Sequence, residues 1–316
     1  MNKNIWLIGS GGMAVDYVRV LQALELEFSI IGRGEKSAKA CLDATGCEVV
    51  SGGLVGYLAT KPPVPTHAIV AVGVEKLHET TLQLLDYGVQ NILVEKPAGL
   101  NEREIEAVSI KAKEKNARVC VAYNRRFYAS VLKAQEIIAE DGGITSFNFE
   151  FTEWAHEIEK LSKGEGVKEH WFLGNSTHVV DLALYLGGKP KEICTFTSGS
   201  LDWHPAASIF AGAGVSENGA LFSYQANWES AGRWSVEMLT KKHRLILRPM
   251  EKLQIQKRGS VAIEFVECDY KLDEAFKPGL FLQTKKFISN DFQGMCSISD
   301  QFAIMDKYNS IAGYKL

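Results

Sequence analysis

The segment Gly9-Ser10-Gly11-Gly12-Met13-Ala14, directly after the apolar run Ile5-Trp6-Leu7-Ile8, constrains what this chain can fold into more than any other feature. Its spacing is G-x-G-x-x-A, placed where a strand enters a turn that opens a helix. Gly9 permits a tight turn, Gly11 lets a phosphate approach the backbone, and the small Ala14 keeps the helix close to the strand. Gly12 and Met13 carry amides of the first helical turn, where the positive helix end lies. Such a loop takes the pyrophosphate of a dinucleotide, and it is held by a parallel sheet with helices on its faces.

The first third of the chain supplies that sheet. β-type runs at 4–9, 28–32, 68–72, 91–95 and 118–122 alternate with helical stretches at 13–24, 35–44, 77–87 and 102–115. Asn101 caps the last of these, with Glu104 three residues on. The pattern predicts an α/β, doubly wound dinucleotide domain over residues 1–122. Beyond Tyr123 the β-type runs (144–154, 193–198, 220–228, 234–240, 244–248 and 261–267) mostly follow one another directly. They predict a second, α+β domain over residues 123–316 with an open, mostly antiparallel sheet. Helices at 177–186 and 279–289 are expected on one face of it. A C-terminal helix at 298–311 either joins them or packs back on the first domain. The charged, glycine-bearing stretch 157–166 reads as a mobile loop near whatever the second domain binds.

Composition closes off several classes. Lys plus Arg number 35 against 38 for Asp plus Glu, and this net charge of -3 gathers neither nucleic acid nor an anionic membrane. The six cysteines, Cys41, Cys47, Cys120, Cys194, Cys268 and Cys296, lie far apart without a C-x-x-C, so reduced thiols and no metal are expected. No apolar stretch approaches membrane-spanning length, and the opening run is too short for a signal segment. A cytoplasmic protein with no membrane or nucleic-acid partner is expected.

The choice of dinucleotide is written at the tip of the second strand, where NAD enzymes place an acid about 20 residues past the glycines. Here the tip reads Ile30-Ile31-Gly32-Arg33-Gly34. Arg33, with Lys36 and Ser37 close behind, suits the 2'-phosphate of NADP through charge-assisted hydrogen bonds. Alternatively Arg33 is a solvated turn residue, Glu35 serves the ribose, and the cofactor is NAD.

Three further segments belong together. Val94-Glu95-Lys96-Pro97, Ala122-Tyr123-Asn124-Arg125-Arg126-Phe127 and Thr177-His178-Val179-Val180-Asp181, in this order behind the glycine loop, resemble the signature of the glucose-fructose oxidoreductase / inositol dehydrogenase (Gfo/Idh/MocA) family over essentially the whole chain. The resemblance implies a Rossmann domain, and a second domain whose sheet supports the substrate pocket and often a homodimer or homotetramer interface. It implies cofactor contacts at Val72, Gly73, Glu95, Lys96 and Pro97, the last after a cis peptide bond. His78 matches the family's histidine near the nicotinamide, or is a structural residue at a helix start. On the substrate side the resemblance implies Tyr123, Asn124, Arg125, Asn175, His178 and Asp181.

Physical chemistry supports part of this. Lys96 stands at the carboxyl end of a parallel strand, where open α/β sheets bind ligands, and can stabilise alkoxide character on a substrate oxygen. His178 and Asp181 are one helical turn apart, and an imidazole titrates in the range that general acid/base work needs. Lys96 and His178 are therefore the expected catalytic pair. Outside this context such a lysine is usually a solvated strand end and such a histidine a structural helix residue. Arg126 either lines the pocket or braces the two domains through a carboxylate. Trp154, Trp171 and Trp234 either stack on a sugar face or fill the core.

One departure stands out, because the family commonly carries an Asp four residues before this His and here that position is Gly174. Either Lys96 alone does the proton work, or Glu153, His156 or Tyr123 substitutes, or turnover has been lost. The implied function is an NAD(P)-dependent oxidoreductase acting on CH-OH groups of a sugar, polyol or nucleotide sugar. The alternatives are a catalytically impaired dinucleotide- or sugar-sensing regulator and a redox-neutral NAD-dependent glycosidase.

Overall fold

A computed structural model describes residues 4–314. The chain divides into two compact units, one formed by residues up to Asn124 with Leu272–Ala303, the other by Arg125–Lys271 with residues from Ile304 on.

The first unit is built on β1 (Ile5–Ile8), β2 (Phe28–Ile31), β3 (Val49–Val50), β4 (His67–Val70), β5 (Asn91–Glu95) and β6 (Arg118–Ala122). The connections are α1 (Gly12–Ala23), α2 (Glu35–Thr45), α3 (Gly53–Ala59), α4 (Val74–Tyr87) and α5 (Glu102–Glu114). The strands are parallel in the order β6-β5-β4-β1-β2-β3, with the short strand Cys296–Ser297 antiparallel on the outer edge of β6. Because β1 and β4 are covered on both faces, every residue in each is buried, which is why both read as continuous β-type runs. The strand order reverses between β1 and β4, and that switch point is where a doubly wound sheet opens a ligand crevice. The cap on α5 forms as expected, with the Asn101 side chain accepting from the Glu104 amide at 3.2 Å.

The segment Leu272–Ala303 corrects one expectation. The helix Leu280–Ile288, expected over the second sheet, packs on α1 instead, because Leu280, Phe287 and Ile288 complete the core around Tyr17 and Leu21. The single helix expected at 298–311 is two: Ile298–Ala303 packs on α5, and Met305–Ala312 stays with the second sheet.

The second unit carries α6 (Ala129–Glu140), β7 (Ser146–Glu150), α7 (Ala155–Ile158), α8 (Thr177–Gly187), β8 (Pro190–Ser198), β9 (Ile209–Ser216), β10 (Leu221–Asn227), β11 (Ser235–Leu239), β12 (His243–Leu247), β13 (Gln254–Lys257) and β14 (Ile263–Phe265). The sheet runs β14-β13-β12-β11-β7-β10-β9-β8 and is antiparallel except for the parallel pair β7 and β10. Alternation in β10 sends Phe222, Tyr224 and Ala226 to the covered face. There Phe147 stacks on Phe222 at 5.1 Å and Phe149 on Tyr224 at 5.3 Å. α8 lies on β7 and β11, with Gly187 required where a Cβ would come within 2.4 Å of the Phe147 ring. No helix among the described residues is long and apolar enough to cross a membrane.

His204 is a titratable group inside this second core. Its Nδ1 meets the Ala207 carbonyl at 2.7 Å, its Nε2 meets the Tyr314 hydroxyl at 3.0 Å, and burial lowers its pKa to about 4. The unfolded chain takes up this proton at about 6.5, so between the two values the unfolded state binds more protons. Stability is therefore full above pH 6.5 or so and falls as pH drops toward about 4, by roughly 3 kcal/mol at the lower end. His204→Gln should flatten that part of the curve, as measured by urea midpoints at neutral and acid pH. An unchanged acid loss in the variant would assign the effect elsewhere.

Candidate functional site

A cavity of about 640 Å³ opens at the carboxyl ends of β1, β2 and β4. Gly9 makes the turn at φ +121°, its amide donates to Ile31 at 2.8 Å, and a Cβ there would come within 2.2 Å of the Ala71 carbonyl oxygen. A Cβ on Gly11 or Gly12, by contrast, would meet no protein atom within 4 Å. Gly11 caps α1 without a side-chain hydrogen bond, so the first amides of a twelve-residue helix face the cavity unclaimed by a cap. This is a cradle for an anion, and the residues present fit a dinucleotide pyrophosphate.

At the other end of the cavity lie Arg33, Gly34 and Ser37, with Gly52 to Val55 from the turn into α3. No acid stands at Gly32 on the β2 tip, and a Cβ there would fall 2.7 Å from Val49 Cγ1 and 2.8 Å from Ser10 Oγ, so a larger residue would have to displace those two side chains. Glu35 and Lys36 are not among the lining residues. Glu79 does line the cavity but pairs with Lys76 at 2.9 Å. That lysine, aided by His78 and Arg33, holds the Glu79 carboxyl below its usual range.

Of the residues expected at the cofactor, Gly9, Gly11, Gly12, Met13, Arg33, Ser37, Val72 and Gly73 line this cavity, and Ala14 is fully buried behind it. Glu95, Lys96 and Pro97 stand outside the lining, at the carboxyl end of β5 beside β4. The Lys96–Pro97 peptide bond is cis, and the turn is closed by the Ala98 amide donating to the Glu95 carbonyl at 3.0 Å. Glu95 Oε1 accepts from the Tyr17 hydroxyl at 2.8 Å. Burial raises the Glu95 carboxyl pKa against the opposing pull of Tyr17, Lys96 and Lys277. His78 also lies outside the lining, with Nδ1 3.7 Å from Glu104. The sequence reading missed the wall formed by Gly52 to Val55, whose only signal is the Gly-Gly pair after Val49-Val50.

The second unit assembles the other candidates at the start of α8. His178 and Asp181 are both buried, at 8% and 5% exposure. Asp181 is gripped from two sides by Arg126, whose Nε donates to Oδ2 at 2.8 Å and whose Nη2 donates to Oδ1 at 2.5 Å. This carboxylate lies in the same unit as Arg126. Glu153, only 1% exposed, accepts from Asn175 Nδ2 at 2.9 Å and Ser176 Oγ at 2.8 Å. A carboxylate thus stands beside the turn that lacks one at Gly174, where a Cβ would meet nothing within 4 Å.

The remaining candidates separate. His156 is exposed beside Glu157, and Trp171 packs against Trp203 at 6.2 Å. Trp154 is half exposed, donating to the Gly232 carbonyl at 3.1 Å. Trp234 lies 6.2 Å from the His178 ring. In the first unit Tyr123 is buried, and Asn124 donates to the Pro278 carbonyl at 2.9 Å. No group of three acidic, cysteine or histidine side chains among the described residues is placed to hold a metal ion.

Residues 3–123 match the family described as oxidoreductase family, NAD-binding Rossmann fold. The whole chain is similar in structure to levoglucosan dehydrogenase in complex with NADH and L-sorbose, at 19% identity and TM-score 0.78, covering 99% of this chain and 96% of that one. It is also similar to UDP-N-acetylglucosamine 3-dehydrogenase from Acidithiobacillus ferrooxidans, at 14% identity and TM-score 0.75, covering 99% and 98%. A third is an oxidoreductase from Agrobacterium radiobacter in complex with NAD+, L-tartaric acid and magnesium, at 15% identity and TM-score 0.76, covering 100% and 98%. At these identities the likenesses establish the fold. No curated protein sequence matches the chain.

Proposed function

We propose that the protein, whose residues 3–123 match the Gfo/Idh/MocA oxidoreductase family with the NAD-binding Rossmann fold, moves hydride between nicotinamide and a secondary alcohol or ketone of a sugar, polyol or nucleotide sugar. The observation that carries this reading is the pairing of an open glycine cradle at the sheet's switch point with Lys96 at the end of β5. The sugar class rests on the dehydrogenases that share the fold.

A dinucleotide bound in the cradle would supply or accept the hydride, its phosphates held by the α1 amides. Lys96 Nζ would donate to the substrate oxygen and stabilise alkoxide character there. In the second unit His178 is the group suited to carry a proton. Glu153 orders Asn175 and Ser176 at the start of α8, taking over the positioning that an acid at 174 would provide. Gly174 favours a second reading, a sensor that binds without turnover. Turnover of NADPH with a panel of sugars and ketones tests the enzyme; binding without any turnover would support the sensor.

NADP is the preferred cofactor in this reading, because no acid stands at the β2 tip, where Gly32 is found, and Arg33 lines the cavity. Charge-assisted hydrogen bonds of this kind are worth about 1.5–3 kcal/mol. Arg33→Ala should therefore weaken NADPH by roughly 10- to 100-fold and NADH hardly at all, as read by nucleotide fluorescence titration. Equal loss for both nucleotides would remove Arg33 from the choice. The protein works in the cytoplasm, which its free cysteines suit, as a homodimer or homotetramer. The exposed Phe196, Ile209 and Leu221 on β8, β9 and β10 support the second sheet as the interface, testable by light scattering.

A further inference from the structure

We infer that the substrate carries an anionic group, a carboxylate or a phosphate, recognised by Arg125, Arg233 and Trp234 beside His178. The inference rests on the oxidoreductase reading above and deepens it. Two guanidinium groups lie against one indole: the central carbon of Arg125 is 4.8 Å from the Trp234 ring centroid, and that of Arg233 is 4.5 Å from it. Arg233 also lies over Trp154 at 4.8 Å. The His178 ring is 6.2 Å from the same Trp234. All these residues belong to one unit.

Charge accounting in the cluster leaves an excess of donors. Glu153 is 3.4 Å from Arg233 but already accepts from Asn175 and Ser176. Among the described residues no carboxylate pairs with Arg125; Glu251 and Glu153 act on it only through space, and burial lowers its pKa. Among the same residues its buried Nε meets no hydrogen-bond partner, nor does the buried indole Nε1 of Trp234. Buried donors are normally satisfied, so two unsatisfied ones beside an unpaired cation ask for an acceptor that the protein does not provide. A guanidinium fork matches the oxygens of a carboxylate or phosphate, and a neutral hydroxyl would leave the charge uncompensated.

The test is calorimetric binding to the full protein saturated with NADP, using glucose, glucuronate and glucose 6-phosphate as probes. At least one anionic sugar should bind about tenfold or more tightly than glucose. A gain for glucuronate alone assigns a carboxylate site and a gain for the phosphate alone a phosphate site. Arg125→Met and, separately, the more exposed Arg233→Gln should each remove most of that gain while leaving the affinity for NADP unchanged. Equal binding of all three sugars, failure of both anions to bind, or selectivity that survives both substitutions would overturn the inference. Turnover of neutral sugars with no preference for anions would overturn it while leaving the oxidoreductase reading in place. Loss of NADP binding in the wild-type protein would strike that reading instead.

Discussion

Lys96→Met is expected to lower kcat by about 10²- to 10⁴-fold, the usual effect of removing a positioned proton donor, while leaving NADPH binding nearly unchanged. The lysine stands at the carboxyl end of β5, next to β4 in the sheet, and outside the wall of the phosphate cavity. Its backbone is held by the turn from Glu95 to Ala98 and its neighbour Glu95 is tied to Tyr17. Methionine keeps the length of the stem and removes only the charge and the donors, so the effect should fall on kcat. His178→Asn should be less damaging, about tenfold, because the alkoxide is stabilised mainly by the cation. A Lys96→Met enzyme with normal kcat would take Lys96 out of the mechanism, and one that no longer folds would make it structural.

Asp181→Ala should cost about 3–5 kcal/mol of stability, the loss typical when one partner of a buried ion pair is removed. The Arg126 and Asp181 side chains are only 12% and 6% exposed, so water does little to screen the charge left behind. The Arg126 guanidinium also stacks over Tyr185 at 4.5 Å, which keeps it from swinging out to solvent. A double variant, Arg126→Met with Asp181→Leu, should recover much of the loss, since no charge is then stranded. Urea unfolding of the wild type, Arg126→Met, Asp181→Leu and the double variant gives the coupling directly. A stable Asp181→Ala protein that fails to turn over would instead make Asp181 a substrate contact, as the family resemblance implied.

The first unit was legible because its signals are local. Parallel strands buried on both faces read as short apolar runs, and the glycine loop and the Asn101 cap act within a few residues. β3 escaped because two residues carry no period, and α3 because Gly53 and Gly56 blur its pattern. β9 was hidden by glycines that its packing demands. A Cβ at Gly212 would come within 2.4 Å of Tyr224 and one at Gly214 within 2.2 Å of the Glu192 carbonyl oxygen. α6 carries readable helical periodicity at Val131, Leu132, Ala134, Ile137 and Ile138 and was overlooked.

For the site, each motif was visible but not what it touches. Glu153 was one of three candidates for the missing acid, and only folding brings it to Asn175 and Ser176, more than twenty residues away in sequence. The partner of Arg126 is 55 residues distant, and no local pattern joins them. The two arginines on Trp234 come from segments more than a hundred residues apart, so their shared ring had no sequence signature at all.

The proposed activity is hydride transfer between a nicotinamide dinucleotide and a carbonyl carbon of the substrate. The most direct test incubates the protein with NADPH deuterated at C4 of the nicotinamide and a panel of sugar ketones, neutral and anionic, and reads the products by mass spectrometry. One deuterium is expected on the newly formed carbinol carbon, from one face of the nicotinamide, with its near disappearance in Lys96→Met. NADPH that binds tightly while no substrate in the panel acquires deuterium would contradict it.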